Sequence, residues 1–161
     1  MTVLETQGFK LDNSGKRVVV DPGATSANIA TAADAAKNTL GNNAVGYMSG
    51  MSLDPTNIAL AGLRSFMDTP HKQADGTMKD GWLRDAAGNK VKSTGGAGYL
   101  VDLRKPEVAR EMLVYGLTVG KAYPGGLIID EADQAIYAED THPEFSGLTQ
   151  AYAQFHNDAA V

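Results

Sequence analysis

From residue 99 the chain reads Tyr99-Leu100-Val101-Asp102-Leu103-Arg104-Lys105-Pro106-Glu107-Val108, continues through Met112, Tyr115 and Val119 to Lys121, and arrives at Gly126-Leu127-Ile128-Ile129-Asp130-Glu131. Two short apolar runs flank one amphipathic stretch. Pro106 suits a first helical turn, where its missing N–H has no partner to lose, and Glu107 suits the positive end of the helix dipole. Val108, Met112, Leu113, Tyr115 and Val119 recur at helical spacing, while Glu107, Arg110 and Glu111 fall on the wet side. The pattern predicts a βαβ unit: Tyr99–Leu103 and Gly126–Ile129 as adjacent parallel strands, joined by a helix from Pro106 to about Lys121. The expected fold class is α/β.

Working outward, Ala44 to Met51 is a largely apolar run that fits a buried strand, and Asp54-Pro55 with Ile58, Leu60, Leu63 and Phe66 fits a helix beginning at a proline-containing turn. Thr69 to Gly98 reads as a long polar loop holding a hairpin, punctuated by Asp75-Gly76, Asp80-Gly81 and Gly88-Asn89 around Trp82-Leu83-Arg84. Upstream, Gly8 to Asp21 predicts a hairpin turning at Asn13-Ser14-Gly15, and Ala27 to Leu40 predicts a helix capped by Ser26 and stopped at Gly41. Residues 1–43 are rich in Gly, Ala, Asn, Thr and Ser and short of large apolar side chains. They read as an N-terminal arm that gains order from another chain or domain, with 44–161 as the α/β domain.

Composition narrows the function. The 161 residues, 43% of them hydrophobic, suit one domain with a real core. A formal charge of -5 with no Lys/Arg cluster argues against a nucleic-acid surface. No apolar stretch approaches the ~20 residues that cross a bilayer, so no membrane insertion is expected. The start of the chain lacks the pattern of a signal peptide, and the absence of cysteine leaves the compartment open, extracellular or virion-associated included. His71, His142 and His156 lack metal-ligand spacing with one another. Leu127-Ile128-Ile129-Asp130-Glu131 matches a helicase-type magnesium strand, yet no G-x-x-x-x-G-K-[ST] phosphate loop precedes it. Neither a metal nor a cofactor is expected.

The remaining chemistry is carried by three segments in order: Gly81-Trp82-Leu83-Arg84-Asp85-Ala86-Ala87-Gly88-Asn89, Gly98-Tyr99 to Val108, and Gly126-Leu127-Ile128-Ile129-Asp130-Glu131. Together they resemble a group of glycoside hydrolases with an α/β (TIM-type) barrel, in which a W-L-R-D-A-x-G loop, a Y-x-x-D-x-x-x-P-E-V junction and a G-x-x-x-D strand end follow one another. The resemblance covers about Gly81 to Asp133. It implies a carbohydrate ligand, Asp130 as the catalytic carboxylate with Asp102 as the second, and Trp82, Arg84, Asp85 and Glu131 as substrate-binding candidates. In parallel α/β folds ligands bind at the carboxyl ends of strands, and glycoside hydrolysis needs one carboxyl group as proton donor and one at the anomeric carbon. The alternatives are plain: Asp102 capping a helix or pairing with an arginine, and Trp82, the single tryptophan, anchoring the core.

A closed barrel takes about 200 residues or more, and only about 30 follow Asp130, so part of a barrel is expected here: a remnant, a piece of a longer polypeptide, or one of several assembling copies. Two functions stand side by side. One is a carbohydrate-active protein using Asp130 and Asp102. The other is a non-catalytic structural or attachment subunit of a homo-oligomer or larger assembly, such as a phage virion.

Overall fold

The computed structural model describes residues 9–11, 18–20, 29–94 and 98–160. In chain order its elements are β1 (Phe9–Leu11), β2 (Val18–Val20), α1 (Ile29–Leu40), β3 (Ala44–Ser49), β4 (Ser52–Leu53), α2 (Ala61–Asp68), β5 (His71–Lys72), β6 (Met78–Lys79), β7 (Tyr99–Leu100), α3 (Pro106–Ala122), β8 (Leu127–Asp130), α4 (Ala132–Thr141) and α5 (Leu148–Ala159). The architecture is mixed α/β, with five α-helices and small sheets that do not close into a barrel among the described residues.

The main sheet has the order β1-β2-β3-β8. β1 and β2 form the expected antiparallel hairpin, Phe9 opposite Val20; its turn, and the capping Ser26, lie outside the described residues. β2, β3 and β8 run parallel, with Val20 beside Gly46 and Ser49 beside Asp130. The described parts of residues 1–43 are thus tied to the sheet. α1 adds Ala33 and Ala36, which pack with Ala44, Val119 and Tyr123, and it ends at Gly41 with φ +61°.

α3 matches the predicted helix within one residue, but the strands it joins differ from the expectation. Tyr99–Leu103 is not a neighbour of β8. Only Tyr99–Leu100 is a strand, and it pairs antiparallel with β4, Leu100 opposite Ser52. The reason lies in the loop before it. Leu100 receives the N–H of Leu83 and donates to Val91, Val101 donates to Met51, and Asp102 donates to Gly81, so a local layer takes up these backbone groups. The parallel partner of β8 is β3 instead. α3 lies close against β3 because Gly46 has no side chain: a Cβ there would sit 2.5 Å from Cγ1 of Val119 and 2.9 Å from the Tyr123 ring.

The helix expected from Asp54-Pro55 begins later. Asp54 instead accepts the N–H and hydroxyl of Thr56, both at 2.7 Å, and Asn57 caps the short 3-10 turn Ile58–Leu60 that leads into α2. The turns at Asp75-Gly76 and Gly88-Asn89 form where expected, with Gly76 and Gly88 at positive φ. The main core joins Met48, Met51, Leu63, Met67, Trp82, Leu83, Val108, Met112, Phe145 and Leu148, so the loop around Trp82 is part of the interior.

Candidate functional site

β3 and β8 end side by side, and the chain turns at both ends. Ser49 stops β3 by accepting the N–H of Ser52 at 2.7 Å and of Met51 at 3.3 Å. Gly50 then donates to the carbonyl of Asp130 at 2.9 Å. β8 stops because Glu131 adopts a left-handed conformation, φ 71° and ψ 33°, the one non-glycine residue at positive φ among the described residues. That conformation costs about 1–3 kcal/mol and is held only where surroundings impose it.

The left-handed turn aims the Glu131 carboxylate at Ser49, the ladder partner of Asp130. Tyr47 and Ser49 share one face of β3, and their partners in the ladder, Ile128 and Asp130, share it on β8. α3 packs on the opposite face, through Gly46. The Tyr47 hydroxyl donates to Oδ2 of Asp130 at 3.3 Å, the Glu131 N–H donates to Oδ1 at 2.7 Å, and the Ser49 hydroxyl makes a short bond to Oε2 of Glu131. Oε1 of Glu131 has no hydrogen-bond partner among the described residues. A continuing strand would have sent Glu131 to the other face. The left-handed turn brings it back to Ser49.

Tyr152 of α5 closes the inner side, its hydroxyl 3.4 Å from the Asp130 carbonyl. Burial first, then the charges of Asp130, Glu131 and Asp133, push its phenol up to about 12, so it stays a neutral donor at ordinary pH. Gly50 makes room for it: a Cβ there would lie 2.6 Å from the Tyr152 ring. Next to this edge the buried Gln134 of α4 accepts the N–H of Thr94 at 2.9 Å.

The other candidates lie in a different place. Asp102 is buried and gripped by Arg104, with Nε at 2.8 Å from Oδ1 and a terminal nitrogen at 3.0 Å from Oδ2, and Lys105 stands 3.6 Å away. Arg104 also donates to the carbonyl of Glu144 at 2.9 Å, so Asp102 braces the start of α3 against the chain beyond α4. This is arginine pairing, and Asp130 is not among the residues lining the cleft that holds Asp102. Trp82 is 3% exposed; its indole N–H donates to Asp68 at 2.7 Å, and the Lys90 ammonium lies 4.1 Å from its ring centre. That is the core-anchor arrangement. Arg84 chelates Asp80, whose carboxyl burial pushes up but whose bonds to Arg84 hold it, on balance, below the ordinary value. Asp85 accepts the N–H groups of Asn89 and Ala87 and shapes its own turn.

Sequence reasoning did not single out Tyr47, Ser49, Tyr152 or Gln134. The i, i+2 spacing of Tyr47 and Ser49 before Gly50 was a usable signal, since it places both on one strand face. Tyr152 and Gln134 carried none. Among the described residues no group of three or more His, Asp or Glu is placed to hold a metal ion, and no helix is long and apolar enough to cross a membrane. No protein-family model matches the chain, and no curated protein matches it in sequence.

Proposed function

We propose that the chain is a carbohydrate-active protein of the α/β-barrel kind whose glycan site is the carboxyl edge of β3 and β8, with Glu131 rather than Asp102 as the second carboxylate beside Asp130. The observation that carries this reading is the left-handed Glu131, which brings its carboxylate to Ser49 on the face that also bears Asp130. Backbone strain at a strand end is retained where a side chain must be aimed. The face is the one away from α3, the side that lines the interior in a barrel whose helices form the outer ring.

In a hydrolytic reading Asp130, which accepts the Tyr47 hydroxyl and the Glu131 N–H, serves the anomeric carbon. Glu131 keeps Oε1 unengaged and protonates the leaving oxygen. Half-buried Tyr47 and exposed Ile128 on the same face offer an aromatic and apolar wall for a sugar ring. The test is a reducing-end assay and calorimetric binding over a panel of polysaccharides. Wild type should act on or bind at least one glycan, and Asp130→Asn and Glu131→Gln should each lower hydrolysis at least ~100-fold with an unchanged melting temperature. A wild type inert towards the whole panel, or variants as active as wild type, would falsify it.

One observation favours the second reading, a non-catalytic subunit of a large assembly such as a virion. β8 lies at the edge of the sheet among the described residues and exposes Ile128, and α4 after it exposes Ile136 and Tyr137. Sedimentation to large species without glycan binding would favour this reading.

A further inference from the structure

We infer that the cleft between β6 and the Trp82 loop binds a small carboxylate-bearing anion, with Lys79 and Arg84 as its charged contacts. This does not depend on the carboxyl edge or on glycan chemistry. The cleft has a volume of about 520 Å³ and is lined by Lys79, Asp80, Arg84, Asp102, Arg104 and Lys105, with Met78 and Trp82 as its apolar surface. Four cations meet two carboxylates there, a local positive excess in a chain whose formal charge is -5. Low-dielectric walls focus such an excess on whatever enters.

Hydrogen bonding shows which charges are available. Lys105 is taken up by the carbonyls of Asp80 and Trp82 and by Asp102. Arg104 spends its Nε and one terminal nitrogen on Asp102 and the other on the carbonyls of Glu144 and Ser146. Arg84 differs. Asp80 takes its Nε edge and Gly88 takes one N–H, which leaves one N–H on each terminal nitrogen without a partner among the described residues. Its side chain is 39% exposed. Two N–H donors are enough for the two oxygens of a carboxylate, and chelation by Asp80 holds the guanidinium in place before any ligand arrives. Lys79 lies at the exposed end of β6 with no ion pair among the described residues, so its ammonium adds charge to the same opening. Two further carboxylates lie within electrostatic reach, Asp75 of Lys79 and Asp68 of Arg84, and Asp68 is matched by Lys90 at 2.8 Å.

The test is calorimetric titration of the full chain with citrate and, separately, with inorganic phosphate, at low salt and at about 0.15 M salt. Fluorescence of Trp82, the single tryptophan, gives a second readout. Citrate should bind saturably at one site and more tightly than phosphate. Lys79→Glu, on an exposed side chain, should weaken citrate at least ~10-fold, and Arg84→Gln should do the same with the fold checked by circular dichroism. Absence of saturable citrate binding overturns the inference, as does a Lys79→Glu protein that binds citrate as well as wild type. Phosphate binding as tightly as citrate overturns the carboxylate assignment.

Discussion

The cleft around Asp102 and the edge around Asp130 each gather two carboxylates, but they hold them by different means. Asp80 and Asp102 face Arg84, Arg104 and Lys105 at ion-pair distance. Asp130 and Glu131 are met by hydroxyls and one backbone N–H, with no cation in an ion pair among the described residues. A carboxylate locked to an arginine fork has given its lone pairs to structure, and exchanging a proton would break the pair. Glu131, held by the Ser49 hydroxyl at Oε2 alone among the described residues, keeps Oε1 for a substrate. The difference teaches that a strand-end aspartate is judged by its partners, since Asp102 and Asp130 look alike in sequence.

The largest expected effect breaks the structural pair. Asp102→Ala leaves the Arg104 guanidinium half-covered and unmatched and should cost about 3 kcal/mol in urea unfolding, whereas Asp130→Asn should cost below about 1 kcal/mol. Equal costs would erase the contrast. Next is alkaline titration at the edge. Tyr152 is raised to about 12 in the folded state, so the folded protein holds this proton more tightly than the unfolded chain, whose tyrosine ionises near 10. The stability it contributes is complete below about pH 10 and is lost as pH rises towards 12, on the order of 2 kcal/mol. Tyr152→Phe should remove that part of the alkaline loss in denaturation curves at pH 9 to about 12; a variant with the wild-type slope would show that burial and the neighbouring carboxylates do not hold the Tyr152 proton. The smallest effect has the opposite sign. Glu131→Gly relieves the left-handed backbone and should raise stability by roughly 1 kcal/mol while removing the carboxylate, so glycan activity falls as the melting temperature rises. A fall in stability would mean the Ser49 bond outweighs the strain.

Much of the local structure was legible. The 3.6-residue rhythm of Val108, Met112 and Val119 behind Pro106 marks α3, and the Phe9–Leu11 and Val18–Val20 runs mark a hairpin. The start of α2 was misread because Asp54 and Asn57 both have capping chemistry, and Asp54 used its own on Thr56. At the site, Asp130 was legible as a strand end. Asp102 was legible only as an even choice between catalysis and arginine pairing, and pairing is what Arg104, two residues on, provides. Tyr152 was invisible, because nothing within α5 says which strand end it packs against.

What the amino-acid order determines unaided is therefore the type and approximate extent of each element, since these follow from backbone dihedrals and side-chain period over a few residues. Only the tertiary structure decided that β8 lies beside β3 and not beside β7, that β2 joins the same sheet while α1 packs against β3 and α3, and that Glu131 turns back onto Ser49. The physical reason is that strand pairing is chosen by packing among residues far apart in the chain. The entropy of closing the intervening loop grows only slowly with its length, so a partner about 80 residues away competes well with one about 30 away.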